Sequence, residues 1–334
     1  MRSVIKKTGE CGGAIPEPVI PCSYLRLSVT DRCSFNCFYC GAGQRGLFLP
    51  AQEVLSVDEL LRLAHVFVDH GVRHIRLTGG EPLLRKNLAG LIHGLSRNRN
   101  LRILSLTTNG YLLEDFLSKN PNPGLHRLNI SLDTLDRRRF RSITGVDGLS
   151  RVLAGIEAAR TLGFRDIRLN VLLLKGRNDD EIRAFVRFAG EKGLLVRFIE
   201  YFPTHRRSPA FAGFYVPSQT VRKAIRKDFG HLTAQGFDDA SGPAEYYRLS
   251  SGQKIGFISS VTKYFCCFCN RLRLTADGRL FPCLHADVSA DLKKILRQRK
   301  TRALAACIQN TIKEKSRYNK SVCRRFFEMS SIGG

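Results

Sequence analysis

The sequence predicts an α/β fold, a partial (β/α)6 barrel of the TIM type with a smaller C-terminal α+β domain covering its open side. Three observations predict it. Six β-like runs alternate with helix-like segments between residues 24 and 200, the pattern of βα units built around a parallel sheet. Within those runs apolar and polar side chains alternate, and several of the polar ones are arginine. From about residue 203 the alternation stops, which sets the expected domains at 1–202 and 203–334.

The runs, in order, are "YLRLSV" (24–29), "VRHIRLT" (72–78), "LRILSLT" (101–107), "HRLNIS" (126–131), "DIRLNVLLL" (166–174) and "LLVRFIE" (194–200). Amphipathic stretches separate them, such as "SVDELLRLAHVFVDHG", with Ser56 as its N-cap and Gly71 as its stop. Six units fall short of the eight that close a barrel, so the barrel is open. Counting alternate residues puts Arg26, Ser28 and Thr30 on one face of the first run and Leu25, Leu27 and Val29 on the other. The same split sets Arg76 and Thr78 against Ile75 and Leu77, and Arg168 and Asn170 against Leu169 and Val171. The apolar faces take the helices, which leaves a polar lumen suited to a polar occupant; internal ion pairs to Asp133 or Glu200 are the alternative. After 203 a helix over "SQTVRKAIRKDF", strands at "EYYRLS" and "KIGFISS", and helices between 289 and 316 are expected.

With 334 residues, 43% of them apolar, the chain can fill a substantial core. Its start, "MRSVIKKTGECGG", has charge but no apolar stretch behind it, and no run approaches the ~18 apolar residues of a membrane span. A cytoplasmic protein without a membrane partner is expected. Eleven cysteines in a reducing compartment point to metal binding where they cluster. Cys11, Cys22, Cys307 and Cys323 stand apart and receive no role. The net charge of +25 makes nucleic acid a candidate partner, but the basic runs "RRRFR" and "KKILRQRKTR" carry no interleaved stacking aromatics, so a solvated face is the preferred reading.

Cys33, Cys37 and Cys40 in "CSFNCFYC" follow directly on the first run, at the carboxyl end of the sheet where α/β proteins carry their chemistry. A three-thiolate set leaves one iron of a 4Fe-4S cluster open, whereas zinc with a histidine as fourth ligand also suits such spacing, so both metals stay open. "TGGEP" follows the second run: Gly79 and Gly80 allow a ligand close to the backbone, and Glu81 can accept from an ammonium group. Cys266, Cys269 and Cys283 form a second trio beside Arg271 and Arg273, with Cys267 as an ambiguous extra thiol.

"LRLSVTDRC", "IRLTGGEPLLR", "LTTNG", "NISLD", "NVLLLKG", "RFIEY", "CNRLRLTADG" and the terminal "IGG" together resemble the radical S-adenosylmethionine superfamily and, within it, the GTP 3′,8-cyclase family of molybdenum cofactor biosynthesis, in order over nearly the whole chain. The resemblance implies two 4Fe-4S clusters and S-adenosylmethionine. In the family the first cluster reductively cleaves S-adenosylmethionine, and the resulting 5′-deoxyadenosyl radical takes the 3′ hydrogen of GTP so that the ribose closes onto C8. Carried over by position, Cys33, Cys37 and Cys40 hold the first cluster, and Cys266, Cys269 and Cys283 the second. Tyr39, Gly79, Gly80, Glu81, Ser131 and Phe202 fall to the cofactor, while Arg26, Arg76, Thr107, Arg168, Arg271, Leu272 and Arg273 fall to GTP. Gly333 and Gly334, which can thread a narrow cavity, join Arg271 and Arg273 as catalytic residues.

The implied partners are GTP, an external electron donor and a downstream enzyme that takes the product; a homodimer stays open. The chain departs from the family pattern at "GAG" after Cys40, at Phe202 in place of methionine, at Arg168 in place of lysine, and in "PTHRRSPAFAG". A two-cluster radical enzyme acting on a peptide or RNA is the alternative, and a zinc protein binding nucleic acid is the reading from another class.

Overall fold

The first βα unit shows how the chain makes its barrel. β1 (Tyr24–Ser28) is followed, after the cysteine loop, by α1 (Val57–Asp69). The helix starts at a capping box in which the Ser56 side chain accepts from Glu59 N and Glu59 accepts from Ser56 N. It ends two residues before Gly71, whose φ of 96° is the left-handed conformation a chain reversal there requires. Leu60, Leu63, Ala64 and Phe67 of α1 are fully buried in one core with Leu25, Leu27, Ile75 and Leu77. Each such leucine contributes roughly 1.5–3 kcal/mol of burial.

The structure is a computed structural model that describes residues 22–40, 48–202, 211–237, 242–263, 269–284, 286 and 289–320. The unit repeats through β2 (His74–Thr78), α2 (Leu88–Ser96), β3 (Ile103–Thr108), α3 (Leu113–Lys119), β4 (Arg127–Ser131), α4 (Arg137–Thr144), α5 (Leu149–Thr161), β5 (Ile167–Leu173), α6 (Ile182–Lys192) and β6 (Leu195–Glu200). All six expected strands form, their ends within two residues of the expected ones.

Then come α7 (Phe211–Phe214), α8 (Ser218–Phe229), β7 (Leu232–Phe237), β8 (Glu245–Leu249), β9 (Lys254–Ile258), β10 (Arg271–Leu274), β11 (Arg279–Phe281), β12 (Ala290–Asp291), α9 (Leu292–Arg297) and α10 (Thr301–Lys320). The C-terminal strands join the same sheet, in the order β12-β11-β10-β1-β2-β3-β4-β5-β6-β9-β8-β7. β10 pairs in parallel with β1, and β9 in parallel with β6, so the C-terminal segment lengthens both edges of the open barrel. No helix among the described residues is long and apolar enough to cross a membrane.

Candidate active site

Parallel register sets the lumen side chains in rows. Arg26 lies between Arg273 on β10 and Arg76 on β2; one step earlier, Tyr24 lies between Arg271 and His74. Farther round, Thr107, Asn129 and Arg168 form a third row across β3, β4 and β5. Neighbouring strands are about 4.8 Å apart, so the guanidinium groups of the first row crowd together. Burial first, and neighbouring guanidinium groups after it, pull Arg26, Arg76 and Arg273 each down to about 9. Arg76 keeps Nε and Nη2 buried without a hydrogen-bond partner among the described residues, as does Thr107 Oγ1. Buried donors of this kind call for an anion.

The expected alternative partners do not pair with these arginines. Asp133 accepts from Leu172 N at 2.9 Å and from the Tyr39 hydroxyl, and Glu200 accepts from Ser218 N, Val261 N and Thr262 N. Arg168 is instead held by Asp166, from Nε at 2.6 Å and from Nη2 at 2.9 Å, and donates to the Tyr246 hydroxyl at 3.0 Å. Arg127 shares the same carboxylate at 2.6 Å. Leu272 does not share the arginine face: strand alternation turns it into the apolar core opposite Leu25, so it can meet a lumen ligand through its backbone alone.

The first cysteine loop rests on the "TGGEP" turn. A Cβ on Gly80 would stand 2.2 Å from the carbonyl oxygen of Arg32, and one on Gly79 would stand 2.5 Å from that of Thr30. The glycines therefore admit the chain's own cysteine loop. Glu81 also has a structural task. Its carboxylate, 1% exposed, accepts from Thr108 Oγ1 (2.7 Å), Asn109 N (2.7 Å) and Leu83 N (3.0 Å). Burial pushes it up to about 7.

Asn109 in turn donates to Ser34 Oγ at 3.0 Å and reaches Cys33 Sγ at 3.9 Å. Cys33, Cys37 and Cys40 are half-buried on this loop, with Cys40 N donating to Cys37 O at 3.0 Å. Burial raises Cys33 to about 11 and Cys37 well above the usual thiol range, so a metal cation is what would make thiolates stable there. Among the described residues, no three His, Cys, Asp or Glu side chains converge on a single-ion site. Ser131 ends β4, half-buried, and Phe202 follows β6 by two residues.

At the other end of β1, Cys269 precedes β10. Burial alone would raise its thiol, but Arg271, whose Nε lies 3.4 Å from Sγ, and Lys315 outweigh it and bring the group down to about 6, the thiolate form a metal needs. Lys315 of α10, 3% exposed, donates to Pro282 O at 2.8 Å and lies 3.5 Å from Cys269 Sγ, so it ties the Cys269 loop to the chain just before Cys283. Cys266, Cys267, Gly333 and Gly334 lie outside the described residues. A surface cavity of about 540 Å³ opens elsewhere, beside α4 between Arg138, Arg139, Arg177 and Asp180, and contains none of the expected site residues.

Residues 27–189 match the Radical SAM superfamily, and residues 194–321 match Molybdenum Cofactor Synthesis C. The GTP 3′,8-cyclase of Thermodesulfovibrio yellowstonii is 40% identical over 315 residues, 93% of this chain and 97% of that one. The chain belongs to the GTP 3′,8-cyclase family. GTP 3′,8-cyclase 1 of Pseudomonas aeruginosa is 47% identical over 277 residues, 82% of this chain and 83% of its own.

Among solved structures, Streptococcus suis SuiB bound to S-adenosylmethionine superposes with a TM-score of 0.56 at 16% identity, covering 80% of this chain. This chain spans 63% of SuiB's length, and the likeness concerns the fold. The family is one of radical S-adenosylmethionine enzymes, with S-adenosylmethionine and 4Fe-4S clusters as cofactors. The described cysteines fit that assignment: half-buried thiols at one end of β1, and at the other Cys269, drawn toward the thiolate form.

Proposed function

We propose that this protein is a GTP 3′,8-cyclase that performs the first step of molybdenum cofactor biosynthesis. One observation carries the reading beyond the family: Arg273, Arg26 and Arg76 stand side by side in a buried lumen, with donors of Arg76 and Thr107 unpartnered among the described residues. Arginines offer donors and no acceptor, and a triphosphate offers acceptors in the matching geometry.

In this reading Cys33, Cys37 and Cys40 hold the first cluster, and Cys266, Cys269 and Cys283 the second. S-adenosylmethionine, if bound at the first cluster, would supply hydrogen-atom abstraction chemistry after a one-electron reduction by the external donor. The protein's work is to position and exclude water. Tyr39, Gly79, Gly80, Glu81, Ser131 and Phe202 line the cofactor side, and Gly79, Gly80 and Glu81 also fix the cysteine loop. Arg26, Arg76, Thr107, Arg271 and Arg273 hold the nucleotide, Arg168 does so while carried by Asp166, and Leu272 contributes main chain. Gly333 and Gly334 complete the catalytic set.

The domains run 1–202 and 203–334, and the enzyme works in the cytoplasm with an external electron donor and a downstream enzyme for its product. The test is anaerobic: reconstituted enzyme with GTP, S-adenosylmethionine and a reductant yields 5′-deoxyadenosine and a cyclised GTP product. Deoxyadenosine released with GTP untouched overturns the substrate assignment.

A further inference from the structure

We propose that Tyr24 is a phosphate-binding residue whose hydroxyl donates to the phosphate chain of the bound nucleotide, a role that rests on the GTP reading above. Tyr24 opens β1 and is 1% exposed. Its ring is held firmly. It stacks on the His74 imidazole with centroids 4.0 Å apart and planes 10° apart, and His74 is itself fixed through Nε2 to Ser105 Oγ at 2.8 Å. The Arg76 guanidinium carbon lies 5.2 Å from the centroid of the Tyr24 ring.

A phenylalanine would make all of these contacts. What tyrosine adds is one hydroxyl, and that hydroxyl is buried with no hydrogen-bond partner among the described residues. A buried hydroxyl that has given up its water and found no protein partner is destabilising, so its presence in the packed lumen points to a partner that arrives from outside.

The surroundings identify that partner's chemistry. Register sets Tyr24 beside Arg271 on one side, and one row from Arg26, Arg76 and Arg273. Guanidinium groups donate and cannot accept. Arg76 Nε and Nη2 and Thr107 Oγ1, unpartnered like Tyr24 Oη, belong to the same lumen. A group that presents several acceptors, no donors and negative charge satisfies these atoms together, and a phosphate chain is such a group. A purine edge or a ribose brings donors as well and would leave part of the set unmet. Since stacking fixes the ring, the hydroxyl is pre-set for its acceptor and little entropy is lost when the bond forms.

The Tyr24→Phe variant tests this, since it keeps the ring and its stack. Cluster-loaded wild type and variant are titrated anaerobically by calorimetry with GTP and, separately, with inorganic triphosphate. The dissociation constants of both ligands are expected to rise about tenfold or more, as for loss of a hydrogen bond to a charged group. Iron content should stay at the wild-type value, and the ligand-free melting temperature should hold or rise, because the variant removes a buried hydroxyl that has no partner until the ligand binds.

A rise for GTP with triphosphate unaffected moves the hydroxyl to the nucleoside and overturns the phosphate assignment, and so does unchanged affinity for both. Loss of iron or a lower melting temperature alongside weaker binding makes Tyr24 a structural residue and overturns the proposal too. A wild-type enzyme that binds neither ligand refutes the GTP reading itself, a result separable from failure of the Tyr24 role.

Discussion

Replacing Gly80 with alanine should empty the first cluster and leave the second in place. The added Cβ would meet Arg32 O at 2.2 Å, Arg32 C at 2.5 Å and Asp31 O at 2.7 Å, all main-chain atoms that no rotamer change can move aside. Ordinary contact begins at 3.4 Å, so the chain just before Cys33 must retreat by more than an ångström. Two hydrogen bonds that seat the loop, Gly80 N to Thr30 O at 2.9 Å and Glu81 N to Arg32 O at 2.6 Å, are lost or stretched by that movement. Overpacking of this kind costs about 1–3 kcal/mol, which lowers the melting temperature by a few degrees and leaves the protein folded. Misplacing a reacting group by about 1 Å costs roughly 100-fold in rate. Iron counting after anaerobic reconstitution should fall from ~8 to ~4 atoms per chain, and release of 5′-deoxyadenosine should fall at least about 100-fold, the loss that misplacement alone would cause in any molecules that keep the cluster. Gly213→Ala is the control, because a Cβ there meets nothing within 4 Å. Full iron with wild-type cleavage in Gly80→Ala, or equal iron loss at both clusters, would refute the reasoning.

Lys315→Met should act at the opposite end of β1. It removes the buried ammonium that joins Cys269 Sγ to Pro282 O, so iron is lost from the second cluster first, and the iron that remains titrates at a more negative potential in redox-poised spectra; Lys315→Arg should restore part of both. In cluster-free protein, Glu81 at about 7 and Asp133 at about 6 hold their protons more tightly than free carboxylates, burial being the first cause for each. Such groups add stability at low pH and lose it as pH rises through the folded value. Urea midpoints should therefore fall between pH 5 and pH 8, by at most roughly 3 kcal/mol for Glu81, and Glu81→Gln should flatten that part of the curve. A wild-type curve that rises with pH across this window would show both carboxylates to be stabilised as anions.

Local periodicity made the barrel readable. A period of two marks which residues share a strand face, so Arg26, Arg76 and Arg168 could be placed in the lumen before any strand was paired. The same count applied to "LLVRFIE" marks Arg197, 1% exposed and bonded to Asn170 Oδ1 at 3.0 Å, which the motif-led reading passed over. What stayed hidden depends on contacts between distant segments. Nothing near residue 24 announces that β10 will pair with β1 in parallel, so the approach of Tyr24 to Arg271 has no local signature. Lys315 sits among other basic residues of a helix, and only the folded chain brings it to Cys269. Asp166 lies two residues before Arg168 and, in an extended strand, on the same face, a pairing that parity did allow.

Strand pairing also explains why one short element governs both halves of the site. β10 runs parallel to β1, with Cys269 two residues before its start, whereas Cys33 comes five residues after the end of β1. Cys33, Cys37 and Cys40 therefore stand at the opposite end of the barrel from Cys269 and Cys283. Between them lies the five-residue length of β1, about 15 Å of extended chain. Tyr24 and Arg26 project from that length into the lumen, flanked by Arg271 and Arg273 on one neighbour and His74 and Arg76 on the other. A substrate that meets chemistry at both ends must lie along this ledge, and it must carry enough negative charge to settle the arginines packed there. The C-terminal segment is thus part of the barrel wall: without β10, Arg26 and Arg76 would form an open edge, and the arginine row would lose Arg273.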